Sequence, residues 1–261
     1  MTQPQIPALP LPTGGAIPLL GLGTWQLYGR AGYEAVRYAL ELGYRHLDTA
    51  TAYDNEAEVG RAIRDSGVPR AEVFVTTKLP PGAAGRERST LDTSLRRLGC
   101  DYVDLWLVHW PPRGAARPDT WRELLAAQER GLARAVGVSN YHLSQIDELI
   151  TATGVAPAVN QIPWSPSQFD GELLAESRRR GVLVEGYSPL KSTNLRHRVL
   201  VRIAEQHGAT PAQVVLRWHI DTGVVVIPKS GSRDRIASNL DLFTFALTED
   251  EVVEINRMSL L

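Results

Sequence analysis

Asp48, Tyr53, Lys78 and His109 put a carboxylate, a phenol, an ammonium and an imidazole within one third of the chain. Together these groups can hold and release a proton. Hydride arriving at a carbonyl carbon leaves an alkoxide on oxygen, so a site that performs this reduction needs a proton donor and stabilisation of the growing charge. Tyr53 is the candidate donor. A free tyrosine, with a pKa of about 10, gives up its proton reluctantly unless a neighbouring cation favours the phenolate. Lys78 is the candidate cation, and Asp48 is the carboxylate expected to keep a desolvated Lys78 charged. His109 can hydrogen-bond the carbonyl oxygen and orient it. Singly, each has an ordinary reading: a solvated lysine, a packing tyrosine, a turn-capping aspartate, a structural histidine. Their shared position relative to the strands carries the functional one.

Those strands read as residues 44–48, 73–78 and 103–109, so each group falls at or just past a strand's carboxyl end, where a barrel enzyme puts its chemistry. Short β-branched runs alternate with helical patterns along the whole chain, the signature of a parallel sheet wound by βα units. Strand ends are expected near Gly23 and Thr24, then Asp48, Lys78, His109, Ser139, Gln161, Tyr187 and Ile227. Eight such strands close a barrel. The predicted class is therefore α/β, a (β/α)8 TIM barrel with an N-terminal hairpin, extra helices and a short C-terminal tail, in a single domain spanning 1–261. Helices are expected over 33–42, 56–64, 88–98, 120–130, 143–151 and 171–180, with Gly43, Gly67, Gly99, Gly131 and Gly181 as stops. Two more, 197–207 and 212–220, fall in one βα unit, the second opened by Thr210 as N-cap and Pro211. The segments 80–85 and 111–114 read as rim loops that shape access to the site.

Composition bounds the partners. Hydrophobic residues make up 43% of the 261, enough for a sizeable core, while 28 Lys plus Arg nearly cancel 29 Asp plus Glu. A near-neutral chain without a basic run has no electrostatic footprint for nucleic acid or an anionic membrane, so a small molecule is the expected partner. No run of about 18 apolar residues could span a bilayer. Cys100 is the single cysteine, which fits a reducing compartment. The start, residues 1–7, shows no basic segment followed by an apolar stretch, so a cytoplasmic location and a monomer are the default expectations. A metal-dependent barrel hydrolase would need converging ligands, and the six histidines show no H-x-H or H-E-x-x-H spacing, so no metal is expected; His142, His197, His207 and His219 read as structural or surface groups.

The motifs now on the page are similar to those of the aldo-keto reductases, NADPH-dependent (β/α)8-barrel enzymes. The stretch from Gly43 through Ala50 with Tyr53, the segment from Asp101 to Pro111, and Ile227-Pro228-Lys229-Ser230 resemble three segments of that family. Within that family the chain resembles the prokaryotic 2,5-diketo-D-gluconate reductase-like branch. The resemblance implies that Asp48, Tyr53, Lys78 and His109 form the catalytic tetrad, in agreement with the roles argued from the residues. It implies that Ser139, Asn140 and Gln161 grip the nicotinamide carboxamide, that Tyr187 stacks on its ring, and that Ser188 and Leu190 follow the pyrophosphate. Lys229, Ser230, Ser232 and Arg235 then take the adenosine 2′-phosphate and Asn239 the adenine, with Gly23, Thr24 and Asp48 completing the cofactor set. Ser238 stands where many members carry glutamate, which leaves NADH as a weaker alternative cofactor. No G-x-G-x-x-G follows a strand, so a Rossmann site is not expected. Trp25, Trp110, Tyr53 and His109 are implied to line the carbonyl pocket. The chain stops at Met258-Ser259-Leu260-Leu261 where relatives continue over the barrel mouth, and the loop after Leu190 looks short, so an open pocket and broad aldehyde or ketone preference are expected. A non-catalytic alternative, a cofactor-binding regulatory subunit like the potassium-channel β-subunits, is disfavoured by the intact tetrad.

Overall fold

Helix propensity and apolar spacing explain the outer layer of the structure, a computed structural model that describes residues 6–260. In α1 (Gly29–Leu42) the buried residues are Gly32, Ala35, Val36, Ala39 and Leu40, a stripe at helical spacing, and Gly43 ends the helix at φ 111°. Around the barrel follow α2 (Glu56–Ser66), α3 (Glu87–Leu98), α4 (Pro118–Glu129), α5 (Leu143–Thr153) and α6 (Gly171–Arg179). Gly67 and Gly99 terminate their helices in the left-handed region as expected, whereas α4 and α6 first add Arg130 and Arg180 in right-handed geometry before Gly131 and Gly181 turn the chain. The doubled unit holds α7 (Arg198–His207) and α8 (Pro211–Asp221), and Thr210 caps α8 by accepting from Gln213 N. Two further helices, α9 (Arg233–Leu240) and α10 (Glu249–Asn256), complete the chain. The helix α8 packs against the sheet and α9, while α7 lies outside it against α8 and α10.

Strands β1 (Ala8–Pro10) and β2 (Ala16–Pro18) form the N-terminal antiparallel hairpin. The parallel sheet runs in chain order: β3 (Leu22–Gly23), β4 (His46–Asp48), β5 (Phe74–Leu79), β6 (Val103–Val108), β7 (Ala133–Ser139), β8 (Val159–Pro163), β9 (Leu183–Tyr187) and β10 (Val225–Val226). Bridges between Leu20 and Val226 and between Gly23 and Lys229 close it into a barrel. Gly23 permits that closure: a Cβ there would sit 2.8 Å from the Ile227 carbonyl oxygen. The strand read as 44–48 starts two residues later, because Tyr44 N still bonds back to Ala39 O at the helix exit. The first five residues and Leu261, on which the expectations about the chain start and tail rest, lie outside the described residues.

The core has two parts. One fills the layer between sheet and helices; the other joins Trp164, Leu174, Leu200, Ile203, Val214, Trp218 and Ile255 under the outer helices α7 and α10. The barrel interior is mixed: register puts Leu105, Leu107 and Ala135 on the same inward face as Thr76 and Lys78. Strand alternation turns His46 with Asp48, Thr76 with Lys78, and Glu185 with Tyr187 to one face, and the rim end of that face is where the site lies. Among the described residues no helix is long and apolar enough to cross a membrane.

Candidate active site

Lys78 is the hub. Its Nζ donates to Asp48 Oδ1 at 2.6 Å and Oδ2 at 2.7 Å, to Thr49 O at 2.9 Å and to Tyr53 Oη at 3.5 Å. Strands β4 and β5 supply Asp48 and, two residues beyond its register partner Thr76, Lys78 on the same face, and a single 3-10 turn, Thr51–Tyr53, brings the phenol back over them. Thr51 holds that turn by donating to Lys78 O at 2.9 Å, and Asn55 pins its start by accepting from Thr49 Oγ1 at 2.7 Å. His109 follows β6 and meets the Tyr53 ring edge to face, centroids 5.6 Å apart and planes at 75°. All four groups expected to act together are brought together.

Their protonation follows from burial and charge. Burial would drive the Lys78 proton off, but Asp48 and Tyr53 carry its pKa above the ordinary lysine value, so it stays an ammonium. His109 is pushed down to about 3, by burial first and by the Lys78 charge second, and is therefore neutral at physiological pH. For Tyr53, burial raises the phenol above its ordinary value; Lys78 pulls it down but does not win. The expected direction of the Lys78 effect is present, and burial outweighs it. Tyr53 keeps its proton, and Lys78 reduces the cost of losing it.

A cavity of about 400 Å³ opens over this cluster, lined by Gly23, Trp25, Asp48, Tyr53, His109, Trp110, Ser139, Asn140, Gln161, Tyr187, Ser188 and Lys229 among the residues singled out from the sequence. Trp25 and Trp110 stand at its mouth, 48% and 49% exposed. Gln161 spends both amide protons downward, on Asp48 Oδ2 at 2.7 Å and Glu185 Oε2 at 3.0 Å. Its side-chain oxygen Oε1 has no hydrogen-bond partner among the described residues, while its main-chain oxygen accepts from Ser139 Oγ at 2.8 Å. Tyr187 donates to Asn140 Oδ1 at 2.8 Å, and Asn140 Nδ2 in turn donates to His109 O at 3.1 Å and Ser139 Oγ at 3.0 Å. This chain ties the aromatic ring at the end of β9 to the backbone of His109.

Other expected residues lie apart from the cavity. Thr24 is turned into the core, where its hydroxyl donates to Asp48 O at 2.9 Å. Leu190 is half-buried between the two hydrophobic clusters. Ser230, Ser232 and Arg235 gather at the start of α9, Arg235 Nε donating to Ser230 Oγ at 3.3 Å, and Asn239 is buried one turn beyond Arg235, near the helix end. Lys229 bridges the two places. Sequence reasoning missed Ala52, Lys191 and Ile227 in the cavity wall and Glu185 and Asn55 beneath it. Glu185 was findable: it lies two residues before Tyr187 on one strand and so faces the same way. Lys191 gave no such signal, since a loop has no periodicity to read.

A model described as the aldo/keto reductase family matches residues 19–259. An aldo-keto reductase of Mycolicibacterium smegmatis is 45% identical over 253 residues, covering 95% of this chain and 92% of the relative. A methylglyoxal reductase DkgA of Yersinia pestis is 41% identical over 256 residues, covering 97% and 92%. Among solved structures, an aldo/keto reductase from Brucella melitensis superposes with a TM-score of 0.93 at 41% identity, covering 97% of this chain and all (100%) of that one. A Bombyx mori aldo-keto reductase in complex with NADP superposes with a TM-score of 0.88 at 35% identity, covering 97% and 93%.

Proposed function

The chain belongs to the aldo/keto reductase family, and from that premise we propose that it reduces aldehydes and ketones to alcohols with NADPH, Tyr53 giving the proton while Lys78, Asp48 and His109 assist. The observation that carries this reading is the Lys78 ammonium, held 2.6 and 2.7 Å from the two Asp48 oxygens and 3.5 Å from the Tyr53 hydroxyl at the floor of an open cavity.

The residues fit a nicotinamide nucleotide by the chemistry of their free groups. Gln161 has an unspent acceptor for a carboxamide N–H, with Ser139 and Asn140 beside it; Tyr187 offers a ring anchored through its hydroxyl. Lys229, Ser230, Ser232 and Arg235 supply the cations and hydroxyls that a 2′-phosphate needs, with Asn239 near for adenine. NADPH, when bound there, supplies the hydride. The phenol of Tyr53 then protonates the substrate oxygen, the adjacent ammonium stabilises the phenolate left behind, and Asp48 keeps that ammonium charged. Neutral His109 is a hydrogen-bond partner for the carbonyl rather than a second charge.

Small aldehydes, keto sugars and diketo acids are the proposed substrates. The relative named methylglyoxal reductase supports the first, and Lys191 at the cavity wall favours a carbonyl compound that carries an anion. A monomer in the cytoplasm completes the proposal, in keeping with the near-balanced charge and single cysteine. The test is NADPH consumption across such a panel. Lys229→Ala and Arg235→Ala are expected to weaken NADPH more than NADH; equal losses would remove the phosphate assignment.

A further inference from the structure

Glu185 is a buried carboxyl that the reaction described above does not use. Its side chain is wholly buried in the barrel interior below the tetrad. Oε2 accepts from Gln161 Nε2 at 3.0 Å, while Oε1 has no hydrogen-bond partner among the described residues and lies 3.5 Å from His46 Nε2. An orphaned carboxylate oxygen in such a place is costly unless it carries a proton.

The histidine shows where that proton points. His46 Nδ1 faces the Pro18 carbonyl at 3.3 Å, and a carbonyl only accepts, so Nδ1 bears the hydrogen. Burial holds the His46 pKa down to about 4, so its other nitrogen is a lone pair at neutral pH. That nitrogen faces Glu185 Oε1 and, at 3.4 Å, the Thr76 hydroxyl. Two acceptors would confront each other unless the carboxyl donates. Gly21 leaves room for the ring, since a Cβ there would fall 2.7 Å from His46 Cγ and Nδ1.

Charge points the same way. The groups around Glu185 are His46 and Asp48 from β4, Lys78 from β5, Gln161 from β8 and Tyr53 above, while β10 pairs with it through uncharged Val225. Lys78 is the one cation of this set, and Asp48 already balances it. Burial, and then the Asp48 charge, push Glu185 up to about 8, against the pull of Gln161 and Lys78.

We propose that Glu185 is a positioning residue, held as a neutral acid that donates to His46 Nε2 and accepts from Gln161 Nε2, and that it thereby fixes which end of the Gln161 amide faces the cavity. With both amide protons drawn down to Asp48 and Glu185, the Gln161 carbonyl is the end left for a ligand's N–H. Ionisation of Glu185 reverses the benefit. A second anion beside the cluster raises the Tyr53 phenol further, which makes proton donation harder on the alkaline side.

The consequence for the cofactor rests on the NADPH reading; the protonation state does not, and the experiment separates them. Infrared spectra of the cofactor-free wild type should contain a protonated carboxyl carbonyl band at pH 7 that disappears as pH rises through about 8, and Glu185→Gln should lack it. NADPH affinity, read by fluorescence titration at pH 7, should stay within about twofold in Glu185→Gln, whose amide offers the same donor and acceptor. It should fall about tenfold in Glu185→Leu, which orphans a Gln161 proton. A wild type without the infrared band, or a glutamine variant as impaired as the leucine one, would overturn the proposal. Should Glu185→Leu not fold, the wild-type spectrum and the glutamine variant still decide. If the wild type itself does not bind NADPH, the proposed function fails while the infrared result stands.

Discussion

Lys78 is fully buried yet charged, and the reason is local: two Asp48 oxygens and the Thr49 carbonyl replace the water it has lost. Removing one partner of such a pair strands the other, at a cost of about 3–5 kcal/mol. Lys78→Met is therefore expected to lower stability by that order as well as to stop turnover, measured by denaturant unfolding beside an activity assay; a variant as stable as wild type would mean that Asp48 is not held by this contact. His109 behaves differently. With its pKa near 3 it does not titrate in the range of an ordinary histidine, so turnover should show no histidine limb between about pH 5.5 and 7.5. Tyr53 shows what sequence leaves out at this scale. The sign of the Lys78 effect was legible from residue types, but the size of the opposing burial effect depends on packing that only the fold supplies.

Elements carry a second pH dependence, remote from the chemistry. His219 on α8 is wholly buried, with Nδ1 2.8 Å from Val215 O in its own helix and Nε2 3.1 Å from Trp164 O beyond β8; the neutral ring donates to only one of these two carbonyls. Burial lowers its pKa to about 4, with the two carbonyls pulling upward. The unfolded chain, with a histidine pKa of about 6.5, takes up protons first on acidification. Stability is thus fully present above about pH 6.5 and is lost as pH falls through about 4, by roughly 3 kcal/mol for a shift of this size. His46 adds a loss of the same sign. His219→Gln should flatten the fall in unfolding free energy between pH 6.5 and 4; an unchanged slope would assign the acid sensitivity elsewhere. From sequence, His219 read only as a structural or surface group in a helix, because periodicity places a residue on a helix face without naming the carbonyls it meets.

The molecule as a whole gathers groups from the carboxyl ends of β4 through β9 around one cavity, and a bridge between Gly23 and Lys229 helps join the two edges of the sheet. Strand ends, helix stops and the doubled βα unit were legible because the hydrophobic period and the glycines report them directly. The inward face was not. Strands that bury polar His46, Thr76, Lys78 and Glu185 on one side look ambiguous to alternation, so Glu185 gives no clear signal by polarity alone, and Thr24, expected in the cofactor set, turns its hydroxyl into the core. The account's central claim is that the assembled rim uses the Tyr53 phenol as its proton donor. The direct measurement is single-turnover NADPH oxidation by wild type and Tyr53→Phe with a reactive aldehyde, beside a fluorescence titration of NADPH. The expected result is a rate reduced by about 10²–10⁴ with affinity changed less than about threefold; a variant that oxidises NADPH at the wild-type rate would contradict it.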